Sequence, residues 1–216
     1  MATVPYSTLL PELLQYAPSV PEIIATNAVR NACVEFGMTT RYFQQDMTPM
    51  DITVGNSSYT IADPSSDLMF VDVMEAWANN ALLIGKAQEE LARIYRYQDW
   101  RTVQGAPVYM TKEVRNVLIL VPQPTVLYPA GLTARIAVAP SRTSVNVDAE
   151  FYNLFLEIVV NGALGRLYST PDQPYSNPQM AMAKTAMFRH QMTEVQIAVN
   201  RGLSRTPTRI EYQRFG

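Results

Sequence analysis

The hydrophobic period of this chain changes twice, and that change limits the fold more than any single motif. From Ser19 to Phe43, and again from about residue 147 to 202, apolar residues recur every three or four positions, the spacing of a helix with one buried face. Between about residues 50 and 140 the spacing falls to two, in short runs separated by Gly, Asn, Asp and Pro, which is strand and turn chemistry. A chain helical at both ends and β-rich in the middle is predicted to be α+β. The expected architecture is an antiparallel helical bundle formed by the N- and C-terminal helices, with an inserted antiparallel β-rich region and an extended C-terminal tail. The expected divisions are 1–46 with 147–202 for the bundle, 47–146 for the insertion with its one helix, and 203–216 for an extended arm.

Local signals refine this outline. In "SVPEIIATNAVRNACVEFGMTTRYF", Ser19 and Glu22 have the spacing of a capping box, and Pro21 is expected in the first turn, where its missing N–H costs nothing. Ile24, Ala28, Ala32 and Phe36 follow on one helical face. A shorter helical turn is predicted around Leu9 to Tyr16. "MDITVGNSSYTIADP" has two β-prone runs around Gly55, Asn56 and Ser57 and reads as a hairpin. A strand, a turn at Asn79 and a second short strand follow in "LMFVDVMEAWANNALLIG". "KAQEELARIYRY" reads as a helix lying across the sheet. "PVYMTKE", "RNVLILVPQP" and "LTARIAVAPSR" supply three more strands.

In "VDAEFYNLFLEIVVNGALGRLYS", Phe151, Phe155, Ile158, Gly162 and Gly165 share a stripe, opposite Glu150, Asn153, Glu157 and Asn161. After "TPDQPYSNP", where Pro178 restarts the helix behind Asn177, Ala181, Thr185, Phe188, Met192, Val195 and Val199 recur at alternating steps of four and three. This predicts an antiparallel helical hairpin with a coiled-coil-like seam. Each helical glycine costs about 0.8–1 kcal/mol against alanine. Two on one face imply an offsetting gain, and close approach of the helix from 178–202 is the expected one; the alternative is that they are tolerated. The residues expected at this packing site are Gly162, Gly165, Phe155, Phe188 and Met192.

The chemical inventory is thin. Seventeen Lys and Arg against nineteen Asp and Glu give a formal net charge of −2, which argues against general attraction to nucleic acid. The single cysteine, Cys33, allows neither an internal disulfide nor a Cys-based zinc site; it points to a reducing cytoplasm and to a small buried hydrophobe. No run reaches the roughly 18 apolar residues of a membrane span, and "MATVPYSTLLPELL" lacks the basic start of a signal peptide, so a soluble protein is expected. "GALGRL" has neither the spacing nor the lysine of a phosphate loop. His190, the one histidine, has no partner motif and is expected at a surface or interface. Asp63 with Asp67, and Asp148 with Glu150, could do acid–base work or hold Ca²⁺, but their positions at element ends favour capping. Trp77, Trp100, Tyr95 and Tyr97 could form a sugar-binding surface or fill the junction of sheet and crossing helix, the second being favoured. No catalytic residue, cofactor or metal is expected. Two other readings stay open: a carbohydrate- or host-binding module, and an enzyme with a carboxylate site of unfamiliar form.

The order of features resembles a family of tailed-bacteriophage head–tail connector proteins, also called adaptor or neck proteins. The resemblance runs through "NACVEFGMTTRYFQQD", "VGNSSYTI" with Pro64, "GAPVYMT", "VLILVPQP", "ARIAVAPSR" and "NGALGRLYSTPDQPYSNPQMAMAKTAMFRHQM", most of residues 20 to 200. Tyr175 stands where the family's turn has tryptophan. The resemblance implies a non-enzymatic virion protein, assembled in the host cytoplasm, forming a homo-oligomeric ring that is usually a dodecamer. Such a ring docks on the portal protein, meets a tail or nozzle protein, and extends the DNA channel, with passing contact to double-stranded DNA and none to a membrane. Arg30, Arg41, Arg166 and Arg189 are then candidates for interface ion pairs or for lining the channel, against the alternative of a solvated helix face.

Overall fold

The computed structural model describes residues 2–201. In chain order the elements are β1 (Thr3–Pro5), a 3-10 turn (Tyr6–Leu9), α1 (Leu10–Tyr16), α2 (Glu22–Thr40), β2 (Gln44–Asp46), β3 (Met50–Ile52), β4 (Ser58–Thr60), β5 (Leu68–Ala78), β6 (Ala81–Leu82), β7 (Ile84–Gly85) and α3 (Gln88–Ile94). β8 (Gln104–Gly105), β9 (Tyr109–Lys112), β10 (Val117–Val121), β11 (Gln123–Pro124), β12 (Tyr128–Pro140), β13 (Asn146–Asp148), α4 (Ala149–Tyr168) and α5 (Pro178–Asn200) follow. They form two compact units, one of Phe43–Ser144 and one of the chain on either side of it.

The molecule is α+β, but it is not an antiparallel helical bundle carrying an antiparallel β insertion. Among the described residues it has five α-helices with antiparallel and mixed sheets. The helix-rich unit contains a sheet of its own, in which β1 pairs antiparallel with β13, and α4 is kinked at Phe155 (φ −125°, ψ 15°). In the other unit β7 runs parallel to β9, and β8 parallel to β11. These pairings span two or three residues each, too few to leave a hydrophobic period in the sequence. The tail expected at 203–216 lies outside the described residues.

In the helix-rich unit, backbone chemistry sets the helix ends. The Ser19–Glu22 capping box does not form: Pro21 is the N-cap of α2, and its carbonyl accepts from the Ile24 and Ala25 amides. α2 passes Gly37 and ends at Arg41, which holds a left-handed conformation (φ 55°). Asp148 caps α4, its Oδ1 accepting from the Glu150 and Phe151 amides at 2.9 and 3.1 Å. Asn177 caps α5 through Met180 N at 3.1 Å, with Pro178 at the first helical position. α4 packs against both α2 and α5, and α1 against α2. Leu9, Leu13, Val29, Ala32, Cys33, Phe36, Phe151 and Leu164 are buried in this unit.

In the β-rich unit, β2, β12, β5 and β6 form one sheet, joined by β3 on β12, and β4, β10, β9 and β7 form another. Only Leu83 separates β6 from β7, and side chains of both sheets meet in one core that includes Tyr59, Ile61, Phe70, Leu118, Leu120, Leu132 and Ile136, giving a half-barrel. Asn79 and Asn80, both at positive φ (48° and 65°), make the two-residue turn from β5 to β6. The hairpin expected around Gly55 is absent as a pairing: the chain turns there, but β3 joins β12 and β4 joins β10. Gly55 N donates to Pro124 O at 2.9 Å, so the turn is anchored to a third segment while its flanks diverge.

Candidate functional site

α4 and α5 approach closely where the glycines lie. A Cβ on Gly162 would fall 2.9 Å from Cε2 and Cζ of Phe188. A Cβ on Gly165 would fall 2.6 Å from Thr185 Oγ1 and 3.2 Å from the Thr185 amide nitrogen. Phe188 and Met192 are buried along this face of α5. Phe155 lies in an aromatic cluster. Its ring lies 5.0 Å from that of Phe36 and 4.8 Å from that of Tyr42, centroid to centroid, in a cluster completed by Phe151. The kink at Phe155 separates this cluster from the glycine stretch. Partial burial raises the Tyr42 pKa above the ordinary tyrosine value, helped by the Glu150 and Asp148 carboxylates.

A polar group lies beside the seam. Asn161 is buried, and its Nδ2 donates to Gln191 Oε1 at 3.2 Å, while Lys184 Nζ donates to Asn161 Oδ1 at 2.9 Å. The ammonium of Lys184 also sits 5.4 Å above the Tyr16 ring, and Tyr168 OH donates to Tyr16 O at 3.0 Å. Sequence spacing places Asn161 on the polar stripe of α4. The signal for its burial is the seven-residue separation of Lys184 and Gln191, which puts both on one face of α5. Asn161, Tyr16 and Lys184 of α5 also line a groove of about 410 Å³ whose other lining residues come from α1 and α4, among them Glu12, Leu154 and Glu157.

The four arginines are scattered over the helix-rich unit. Arg166 on α4 pairs with Glu35 on α2. The Arg30 guanidinium lies 6.0 Å from the Tyr6 ring centroid, and Arg41 is the C-cap of α2. Arg189 is exposed on α5. His190 is also exposed, with Nε2 3.5 Å from Glu194 Oε1 one turn on.

Two of the four carboxylates considered for chemistry accept from backbone amides. Asp148 is a helix cap, and Asp63 Oδ1 accepts from Phe70 N at 2.7 Å. Complete burial pushes the Cys33 thiol pKa up, which disfavours the thiolate. Trp100 and Tyr95 pack with Leu91 on α3 and with Ile119 and Val121 on β10, while Tyr97 is exposed and Trp77 half-buried. No group of three or more His, Cys, Asp or Glu able to hold a metal ion occurs among the described residues.

These features define a two-unit α+β protein whose candidate residues are packing and surface groups, with Asp63 and Asp148 committed to backbone amides. The chain belongs to the SU10 adaptor protein family, whose model matches residues 4–211. A comparison with curated proteins returned no match. The family is one of phage structural adaptors, which makes the chain a bacteriophage virion protein that contacts other head and tail proteins. No helix among the described residues is long and apolar enough to cross a membrane.

Proposed function

We propose that this protein forms a ring, a dodecamer on the family resemblance, that joins the portal of a tailed-phage head to the tail and extends the DNA channel. The match to the adaptor family over residues 4–211 carries this reading. The helix-rich unit supplies the ring body, and the half-barrel offers contacts to the portal or to the tail or nozzle protein. DNA passes through without being gripped, in keeping with the formal charge of −2. The protein works as a non-enzymatic component, assembled in the host cytoplasm, with no cofactor. Arg30, Arg41, Arg166 and Arg189 divide between internal and intersubunit roles: Arg166 holds α4 to α2, and Arg189 faces outward.

Light scattering and negative-stain imaging test this, with the chain alone and after addition of purified heads that carry the portal. Closed rings, or a ring of added density at the portal vertex, are expected. A chain that stays monomeric and never binds the heads would remove the proposal.

A further inference from the structure

Among the described residues, one face of α5 is left without a partner. Ala181, Phe188, Met192 and Val199 are buried against the rest of the unit. At steps of four, three, four and four, Met182, Ala186, Arg189, Thr193 and Ile197 share another face, and all five are exposed. Met182 and Ile197 keep 71% and 45% of their surface, so this face offers a cation between two large apolar side chains. The Thr193 hydroxyl donates to Arg189 O at 2.9 Å, so the stripe asks little of a partner in polar contacts.

The groove between α1 and α4 has the opposite character. It is concave, about 410 Å³ in volume, and carries the carboxylates of Glu12 and Glu157 with exposed Leu154 between them in chain order. Lys184, the one cation among the described residues that line it, is already hydrogen-bonded to Asn161. The carboxylates would repel nucleic acid. What fits is a convex helix bearing apolar residues and a positive charge.

We propose that the outer face of α5 in one copy seats in the α1–α4 groove of the next, with Arg189 set against Glu12 and Glu157. Groove and stripe belong to the same unit but lie on different faces of it, so the contact is head-to-tail and continues from copy to copy until a rotation closes it. The inference rests on the ring reading above and names the faces that make the ring.

The test uses the full chain with Arg189→Glu, with Glu157→Arg, and with both, followed by sedimentation velocity and by binding to portal-bearing heads. Both positions are exposed, and melting curves check that each variant folds. Each single reversal is expected to weaken association by about tenfold or more, since at least one opposed charge pair becomes a like pair. The double reversal is expected to restore most of it. Met182→Gln, which leaves charge alone, is expected to weaken association as well. Single variants that assemble like the wild type, or a double variant no better than either single, would overturn the assignment of faces while leaving the ring intact. A wild-type chain that never associates, alone or on heads, would overturn the ring reading and this inference with it.

Discussion

A methyl group added at Gly165 would meet Thr185 Oγ1, which can rotate away, and the Thr185 amide nitrogen, which cannot. At Gly162 the obstacle is the edge of the Phe188 ring, a side chain that is buried but can tilt by a few degrees. Alanine at either position gains about 0.8–1 kcal/mol of helix propensity. Overfilling a close-packed seam costs about 1–3 kcal/mol. Gly165→Ala is therefore expected to lower the melting temperature, and to lower it more than Gly162→Ala. Gly162→Leu, whose side chain has no space at all beside Phe188, is expected to be worse than either. Thermal unfolding followed by circular dichroism decides the matter: a rise in melting temperature for Gly165→Ala would mean that α5 can retreat and that the close approach confers nothing.

At the scale of elements, the two long C-terminal helices start on side-chain caps of different strength. Asp148 Oδ1 accepts from two amides of α4, while Asn177 Oδ1 accepts from one amide of α5, where Pro178 already removes another donor. Asp148→Ala is expected to cost about 1–2 kcal/mol and Asn177→Ala about 0.5–1 kcal/mol. Denaturant midpoints for the pair measure the difference, and equal losses would show that the second amide contact of Asp148 adds nothing. Such caps are legible in a sequence because their partners lie within three residues. The turn at Gly55 was legible for the same reason, but the partners of its flanking strands were not: β3 pairs with β12 and β4 with β10, tens of residues away. The two-residue strands β7, β8 and β11 carry no period to detect. Phe155 shows a further limit. A stripe counted at 3.6 residues per turn assumes an unbroken helix, but α4 leaves helical φ/ψ at that residue, and the sequence spacing does not show that the Phe155 ring packs with Phe36 and Tyr42. The sequence spacing puts Gly162 with Gly165, and Thr185 with Phe188, on single faces. Which atom meets which depends on the register between α4 and α5, and only coordinates supply that.

At the scale of the whole molecule, the division of the chain has a consequence for folding. Residues 43–144 hold two hydrophobic clusters, the half-barrel core and the smaller group around Leu91 and Trp100 under α3. Both ends of this stretch are fixed within it: Val138 N donates to Phe43 O at 2.9 Å, and Ser144 N donates to Ser141 O at 3.2 Å. About 100 residues with a core of their own lie within the ordinary range for an independent domain. The flanking segments differ, because neither contains a complete core. β1 needs β13, α2 needs α4, and Glu35 needs Arg166. The fragment 43–144 is therefore expected to fold alone, with a strand-dominated circular dichroism spectrum and a cooperative melt. The fragment from Val145 onward is expected to stay unfolded until the fragment 1–42 is added, when helical signal should appear in proportion to complex formed. An unfolded 43–144 fragment would mean that the half-barrel depends on the helix-rich unit for its stability. The chain could then not fold its middle first, and the two stretches on either side would have to meet before the strands could pair.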